Sequence, residues 1–199
     1  MNPSELRQIA IRPHSMADVR KLLEQGPTET RVSSTVRCRG RVVTMREDQA
    51  RLPDGAIRPR DVLEHPGGMV MLPILDDGCV VMIRQFRYAL GHALIELPAG
   101  KLDPGETPLE GAYRELAEET GYCAEKMDEI TFIYTSPGFC NERLWLFRAT
   151  GLKPLDHVAT GDDEEYLRPL ILTPAQVREA IDQRLIVDAK SICLLSLGL

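Results

Sequence analysis

One well-capped helix stands alone between runs of strand, and this limits the fold more than any other feature. Residues 107–121 read TPLEGAYRELAEETG. Thr107 suits an N-cap, Pro108 the first helical position, and Glu110 at N3 can reach back to the cap. Gly121 is placed to take the left-handed conformation that ends a helix. At about 100° per residue, Leu109, Ala112, Tyr113 and Leu116 share a face, the expected core face. Glu115, Glu118 and Glu119 share another, at i, i+3 and i+4. Carboxylates so spaced repel by about 0.2–0.5 kcal/mol per pair. Arg114 can offset one of them, through Glu118 at i+4. Nothing in the helix's own stability asks for that cluster. It is either a solvated acidic face or several hard oxygens gathered for a cation.

Around this helix the pattern is mainly strand. Residues 32–45 are rich in Val and Thr with Arg interleaved, and read as one strand. Pro53-Asp54-Gly55 is a turn signal, because Asp and Gly tolerate the required backbone angles. Residues 58–65 then complete a hairpin. Residues 69–75 and 80–83 are continuous apolar runs, as expected of strands buried on both faces. Asp76-Asp77-Gly78 between them predicts a second hairpin. Residues 93–97, 130–135, 144–149 and 166–172 read as further strands, with 151–165 a polar loop. Helices are expected over 174–183 and 189–197, and a short one over 16–25. Without regular β-α-β alternation, a doubly wound parallel sheet is excluded. A mixed sheet with helices packed on its faces is the α/β arrangement that remains.

The chain of 199 residues fits one domain with a small appendage. Its formal charge of −6 argues against a general nucleic-acid binder. A nucleotide substrate stays open, because a bound metal can supply positive charge. The five cysteines are scattered and form no C-x-x-C pair. They suggest neither a disulfide framework nor a zinc site, and point to a reducing, cytoplasmic setting. Residues 1–15 hold no apolar core segment and no run approaches a membrane span, so neither a secretory signal nor a membrane partner is expected.

The spacing around the helix adds a resemblance. Gly100, Glu106, Arg114-Glu115-Leu116, Glu118-Glu119 and Gly121-Tyr122 resemble the Nudix box without departure over 23 residues. The order of flanking elements is similar to the Nudix fold over roughly residues 35–199. The resemblance implies a Nudix-type α/β/α sandwich with a mixed sheet, preceded by a small antiparallel N-terminal β subdomain. Its divisions would be dimer-forming strands over 31–65 and the hydrolase domain over 66–199, with an N-terminal segment over 1–30 that the resemblance does not explain. It also implies hydrolysis of a nucleoside diphosphate linked to another group, with Mg²⁺ or substituting Mn²⁺ as cofactor. Glu115, Glu118 and Glu119 would supply metal-ligand carboxylates, Glu106 would brace the site, and Arg114 would orient the glutamates.

Three flanking features resemble the ADP-ribose pyrophosphatase subgroup. Glu96-Leu97-Pro98-Ala99-Gly100 leads into the box, and the backbone carbonyl of Ala99 is implied as a further metal ligand. Ser136-Pro137-Gly138 lies at the subgroup's distance from the box, which brings in Pro137 and Gly138 as substrate contacts. Arg84-Gln85-Phe86-Arg87 ends a strand, with Arg87 matching a phosphate-binding arginine and Arg84 the weaker match. The general base is implied on the loop 161–166, where Asp163, Glu164 and Glu165 all fit and Glu164 is chosen. Glu142 is an outside candidate. Arg60 and Glu64 on the second N-terminal strand would contact the substrate's terminal groups in a homodimer built through those strands. The expected reaction converts ADP-ribose to AMP and ribose 5-phosphate. The alternatives are another nucleoside diphosphate sugar, such as GDP-mannose, or an inactive nucleotide-sensing module.

Overall fold

The computed structural model describes residues 13–156 and 167–199. The chain divides into two compact units. One takes the described residues up to Thr35 together with Glu47–Arg60; the other takes Val36–Arg46 and Asp61–Leu199.

In the N-terminal part, helix α1 (Met16–Glu24) starts at the Ser15 cap and buries no residue. Strands β1 (Thr30–Arg39), β2 (Thr44–Arg51) and β3 (Ile57–Glu64) form an antiparallel three-stranded sheet in that order. The stretch expected as one strand is therefore two. The chain reverses where the Gly40 N–H donates to the Val43 carbonyl at 2.8 Å. The Pro53-Asp54-Gly55 turn joins β2 to β3, closed by Leu52 N–H on the Ala56 carbonyl at 2.8 Å. Gly55 has a φ of 86°, the left-handed region that its lack of a side chain permits.

The second unit holds the larger core. Strand β4 (Gly68–Pro73) lies between β7 (Ala99–Lys101) and β9 (Arg143–Pro154), and β8 (Tyr122–Tyr134) pairs with β9 on its other side. A second sheet sets β5 (Val80–Arg87) between β10 (Arg168–Leu172) and β6 (His92–Glu96). β4 runs parallel to β9, while the other strand pairs of these two sheets are antiparallel. The Asp76-Asp77-Gly78 turn forms, but it does not make the expected hairpin. Beyond a single bridge between Ile74 and Val80, β4 and β5 part into different sheets. β8 begins directly after Gly121, well before residue 130, and β9 runs on to Pro154 through part of the expected loop.

Strand alternation sorts the core into two layers. Val70 and Leu72 of β4 face one way, packing with Val177 and Ala180 of helix α3 (Pro174–Asp182) and Leu194 and Leu195 of helix α4 (Ala189–Gly198). Met69 and Met71 face the other way, packing with Ala112 and Leu116 of helix α2 (Pro108–Thr120). Helices thus cover both faces of the strand layer, which is the α/β/α sandwich with a mixed sheet.

Candidate functional site

Helix α2 is fixed at both ends as its sequence predicts. The Thr107 hydroxyl accepts from the Glu110 N–H at 3.3 Å, and Glu110 accepts from the Thr107 N–H at 2.9 Å. Gly121 closes the helix at φ 75°, donating to the Ala117 carbonyl at 2.9 Å. The core face is shifted from the expected one. Ala112 and Leu116 are buried and Tyr113 partly so, but Leu109 is exposed, and Gly111, Glu119 and Thr120 take the remaining buried places. A Cβ at Gly111 would fall 2.2 Å from the Met69 methyl and 2.8 Å from Glu106 Oε2, so both side-chain ends would have to shift.

Arg114 gathers the acids of this region. Its Nε and Nη2 donate to the two oxygens of Glu106, each at 2.9 Å. Its Nη1 donates to Glu115 and to Glu118, again at 2.9 Å. Two parallel bonds to one carboxylate fix the guanidinium plane, which a lysine would not do. These bonds, with Glu106 the largest contributor, raise the Arg114 pKa well above its ordinary value. Reciprocally, Arg114 holds the Glu106 carboxyl below the usual carboxylate range. Glu119 is 6 % exposed and accepts the Ala99 N–H at 2.8 Å.

Gly100 joins the helix to the loop before it. A Cβ at Gly100 would lie 1.8 Å from the Glu115 carboxyl carbon, so the carboxylate occupies the space that a side chain would need. Residues 99–101 also line a cleft of about 490 Å³, together with His65, Arg87, Ser136, Glu142, Asp188 and Lys190, among others. Among the described residues, no three His, Cys, Asp or Glu side chains converge as a ready-made metal cage. What the site offers is a set of carboxylate oxygens clustered around one cation. Such hard donors suit Mg²⁺, which keeps several waters and takes only one or two carboxylates.

Arg87 lines the cleft with Nε and Nη2 committed to Glu96, at 2.7 and 2.6 Å. Glu96 is completely buried. Burial pushes its pKa up more than any other single effect. Arg87 and Lys190 together outweigh that, and the carboxyl stays below its ordinary value. Glu142 also lines the cleft, accepting from the Thr135 hydroxyl at 2.6 Å and lying 3.4 Å from His65 Nδ1. Thr135 and Ser136 reach the cleft wall. Pro137 and Gly138 form the turn beside it, where Phe139 and Cys140 N–H groups donate to the Ser136 carbonyl. Arg84 is exposed and is not part of the wall. Arg60 is engaged by Glu29 through two bonds of 2.9 and 2.8 Å. Glu64 is paired with Arg46. Asp163, Glu164 and Glu165 lie outside the described residues.

The sequence reading missed Lys190, Asp188, His65 and the pairing role of Glu96. For Glu96 a signal existed: one carboxylate following the apolar run Ala-Leu-Ile at the end of the strand. A buried acid needs a partner, but its partners lie at Arg87 and Lys190, and spacing alone gives no hint of the second.

Residues 64–190, well over half the chain, match the NUDIX domain. An ADP-ribose pyrophosphatase of Bacillus subtilis is 38 % identical over 152 residues, covering 76 % of this chain and 82 % of that one. A methanol dehydrogenase activator of Bacillus methanolicus is 37 % identical, over 77 % of this chain and 83 % of that one. The crystal structure of an ADP compounds hydrolase superposes with a TM-score of 0.75 at 23 % identity, covering 87 % of this chain and 92 % of that chain. At that identity the likeness is one of fold.

Proposed function

The chain belongs to the Nudix family, and from that premise we propose that it is a Mg²⁺-dependent pyrophosphatase hydrolysing ADP-ribose to AMP and ribose 5-phosphate. The observation that carries this reading is the junction at Gly100. The residue that lines the cleft is packed directly against the Glu115 carboxylate, so the acidic helix and the cleft form one site.

Glu115, Glu118, Glu119 and the Ala99 carbonyl would hold the divalent cation, Mg²⁺ or Mn²⁺. When bound, it supplies positive charge against the phosphates and makes a water easier to deprotonate. The protein's own groups do the rest. Arg114 holds Glu115 and Glu118 oriented, and Glu106 braces Arg114. Arg87 has donor capacity left at Nη1 for a phosphate oxygen, since its described bonds use only Nε and Nη2. A carboxylate beside the attacking water takes its proton. Glu164 is the proposed base, with Asp163 and Glu165 as alternatives, and Glu142 already stands in the cleft wall. The water oxygen bonds to one phosphorus as the bridging P–O bond breaks, so one water is consumed for each pair of products.

A homodimer formed through the N-terminal strands belongs to the same proposal. All ten residues of β1 are exposed, Val32 and Val36 among them, and an uncovered strand invites pairing with a second chain. The five free cysteines fit a cytoplasmic setting.

The test is hydrolysis of ADP-ribose, GDP-mannose, ADP-glucose and NADH with and without Mg²⁺, beside the Glu119→Gln variant. The amide oxygen of the substituted side chain can still accept the Ala99 N–H, so the fold should hold while turnover falls at least ~100-fold. Wild-type turnover in that variant would refute the metal-site assignment. A preference for another diphosphate would keep the site and replace the substrate.

A further inference from the structure

Behind the cleft wall, Glu96 is fully buried and is held from two sides. Arg87 grips both its oxygens, and the Lys190 ammonium donates to Oε2. Lys190 donates in turn to Asp188 at 2.9 Å. Asp188 is the N-cap of α4 and accepts from the Ser191 N–H at 3.0 Å and the Ser191 hydroxyl at 2.6 Å. Ser191 Oγ then accepts the Leu97 N–H at 2.8 Å, which ties the helix to the residue after Glu96. The four charged groups sum to zero, and Arg87, Asp188 and Lys190 all reach the cleft.

This arrangement leaves Arg87 with one orientation. Glu96 takes Nε and one Nη, so the plane of the guanidinium is set and Nη1 has no described partner among the described residues. Lys190 offsets the charge that Arg87 would otherwise have to satisfy alone. Without it, a buried carboxylate would face a single cation, and the cluster would carry a net negative charge beside an anionic ligand. The geometry points to Lys190 as a positioning residue: through Glu96 it holds the Arg87 guanidinium where it can bind a diphosphate. The inference rests on the proposed diphosphate-binding reading of the cleft.

The experiment is a double-substitution cycle on the full chain, read by calorimetric binding of inorganic pyrophosphate in buffer containing Mg²⁺. Lys190→Met removes the second cation. Arg87→Lys keeps a cation for Glu96 but loses the fork, so the fold is retained. Lys190→Gln is the second variant should Lys190→Met unfold. The expected result is about tenfold weaker binding for each single variant, and no further loss when both are combined. Additive losses would overturn the proposal, because Lys190 would then act independently of Arg87. Unchanged affinity in Lys190→Met with a lowered Tm would overturn it too, leaving a purely structural ion pair. So would failure of the unaltered chain to bind pyrophosphate. ADP-ribose turnover, run in parallel with Mg²⁺, separates the substrate reading. Pyrophosphate binding with the expected cycle but no ADP-ribose turnover would remove that substrate and leave the role of Lys190 standing. Where turnover is present, Lys190→Met should raise KM about tenfold and change kcat by less than about threefold.

Discussion

Replacing Gly100 with alanine should silence the enzyme while leaving it folded. The added Cβ would sit 1.8 Å from Cδ, 2.0 Å from Oε1 and 2.3 Å from Cγ of Glu115. Non-bonded heavy atoms settle at about 3.5–4.0 Å, so the carboxylate has to retreat by about 2 Å. The backbone does not resist, because Gly100 is not among the glycines with positive φ. The obstacle is the end of a flexible side chain, so the cost in stability is small. It is the bond from Arg114 Nη1 to Glu115, worth about 1.5–3 kcal/mol between charged groups. For a chain of this size that is a fall of about 3–12 °C in Tm. The cost in rate is larger, since displacing a positioned group by about 1 Å can lose ~100-fold. Mg²⁺-dependent ADP-ribose turnover and thermal unfolding measure the two halves. Turnover within about threefold of the parent would refute the reasoning, because the Glu115 carboxylate would then not need its observed position. A chain that no longer folds would refute the claim that the clash is absorbed by a side chain.

Other substitutions probe the same frame. Arg114→Met leaves Glu106, Glu115 and Glu118 without their shared cation and should cost about 3 kcal/mol in urea unfolding. Glu106 has a depressed pKa in the folded chain, so its contribution is present above the unfolded carboxylate pKa and lost as pH falls through the folded value. The parent's urea midpoint should therefore drop on acidification below about pH 4.3, and drop less in Arg114→Met. Glu96→Ala leaves Arg87 without its carboxylate and Lys190 with Asp188 alone, and should destabilise by about 3 kcal/mol; a midpoint near the parent's would count against the buried pairing. Thr107→Ala removes the cap from α2 and should cost about 1 kcal/mol with little change in kcat, checked by the same unfolding assay.

What could be read in the sequence followed from local chemistry. The ends of α2, the turn at Gly55 and the helices α3 and α4 depend on residues within a few positions of each other, and each was legible. The parting of β4 and β5 was not, because two apolar runs joined by a tight turn look the same whether they pair or diverge. The early start of β8 was hidden for another reason. Residues 122–129, YCAEKMDE, carry charges on a half-exposed strand, and the register shifts between Glu129 and Thr131. The acidic helix face was visible as a choice between solvated surface and cation site, and the resemblance in spacing decided it. The Glu96 network could not be seen, since it joins β5, β6 and α4 across distances that no local pattern encodes.

The pairing of β4 with β9 has a consequence for how activity appears during folding. Residues 68–73 meet residues 144–149 in parallel, so this contact closes a long loop and belongs to the slow class of folding events. The capped helix and its arginine cluster draw on residues 101–120 alone and can take shape early. The cleft draws on His65, Ser136 and Lys190, and exists only after these distant parts of the chain have come together. A partly made or partly unfolded molecule would carry the acidic helix with no place for a substrate to sit. Hydrolysis should therefore appear only with the native state, since a fragment that carries the helix lacks the cleft.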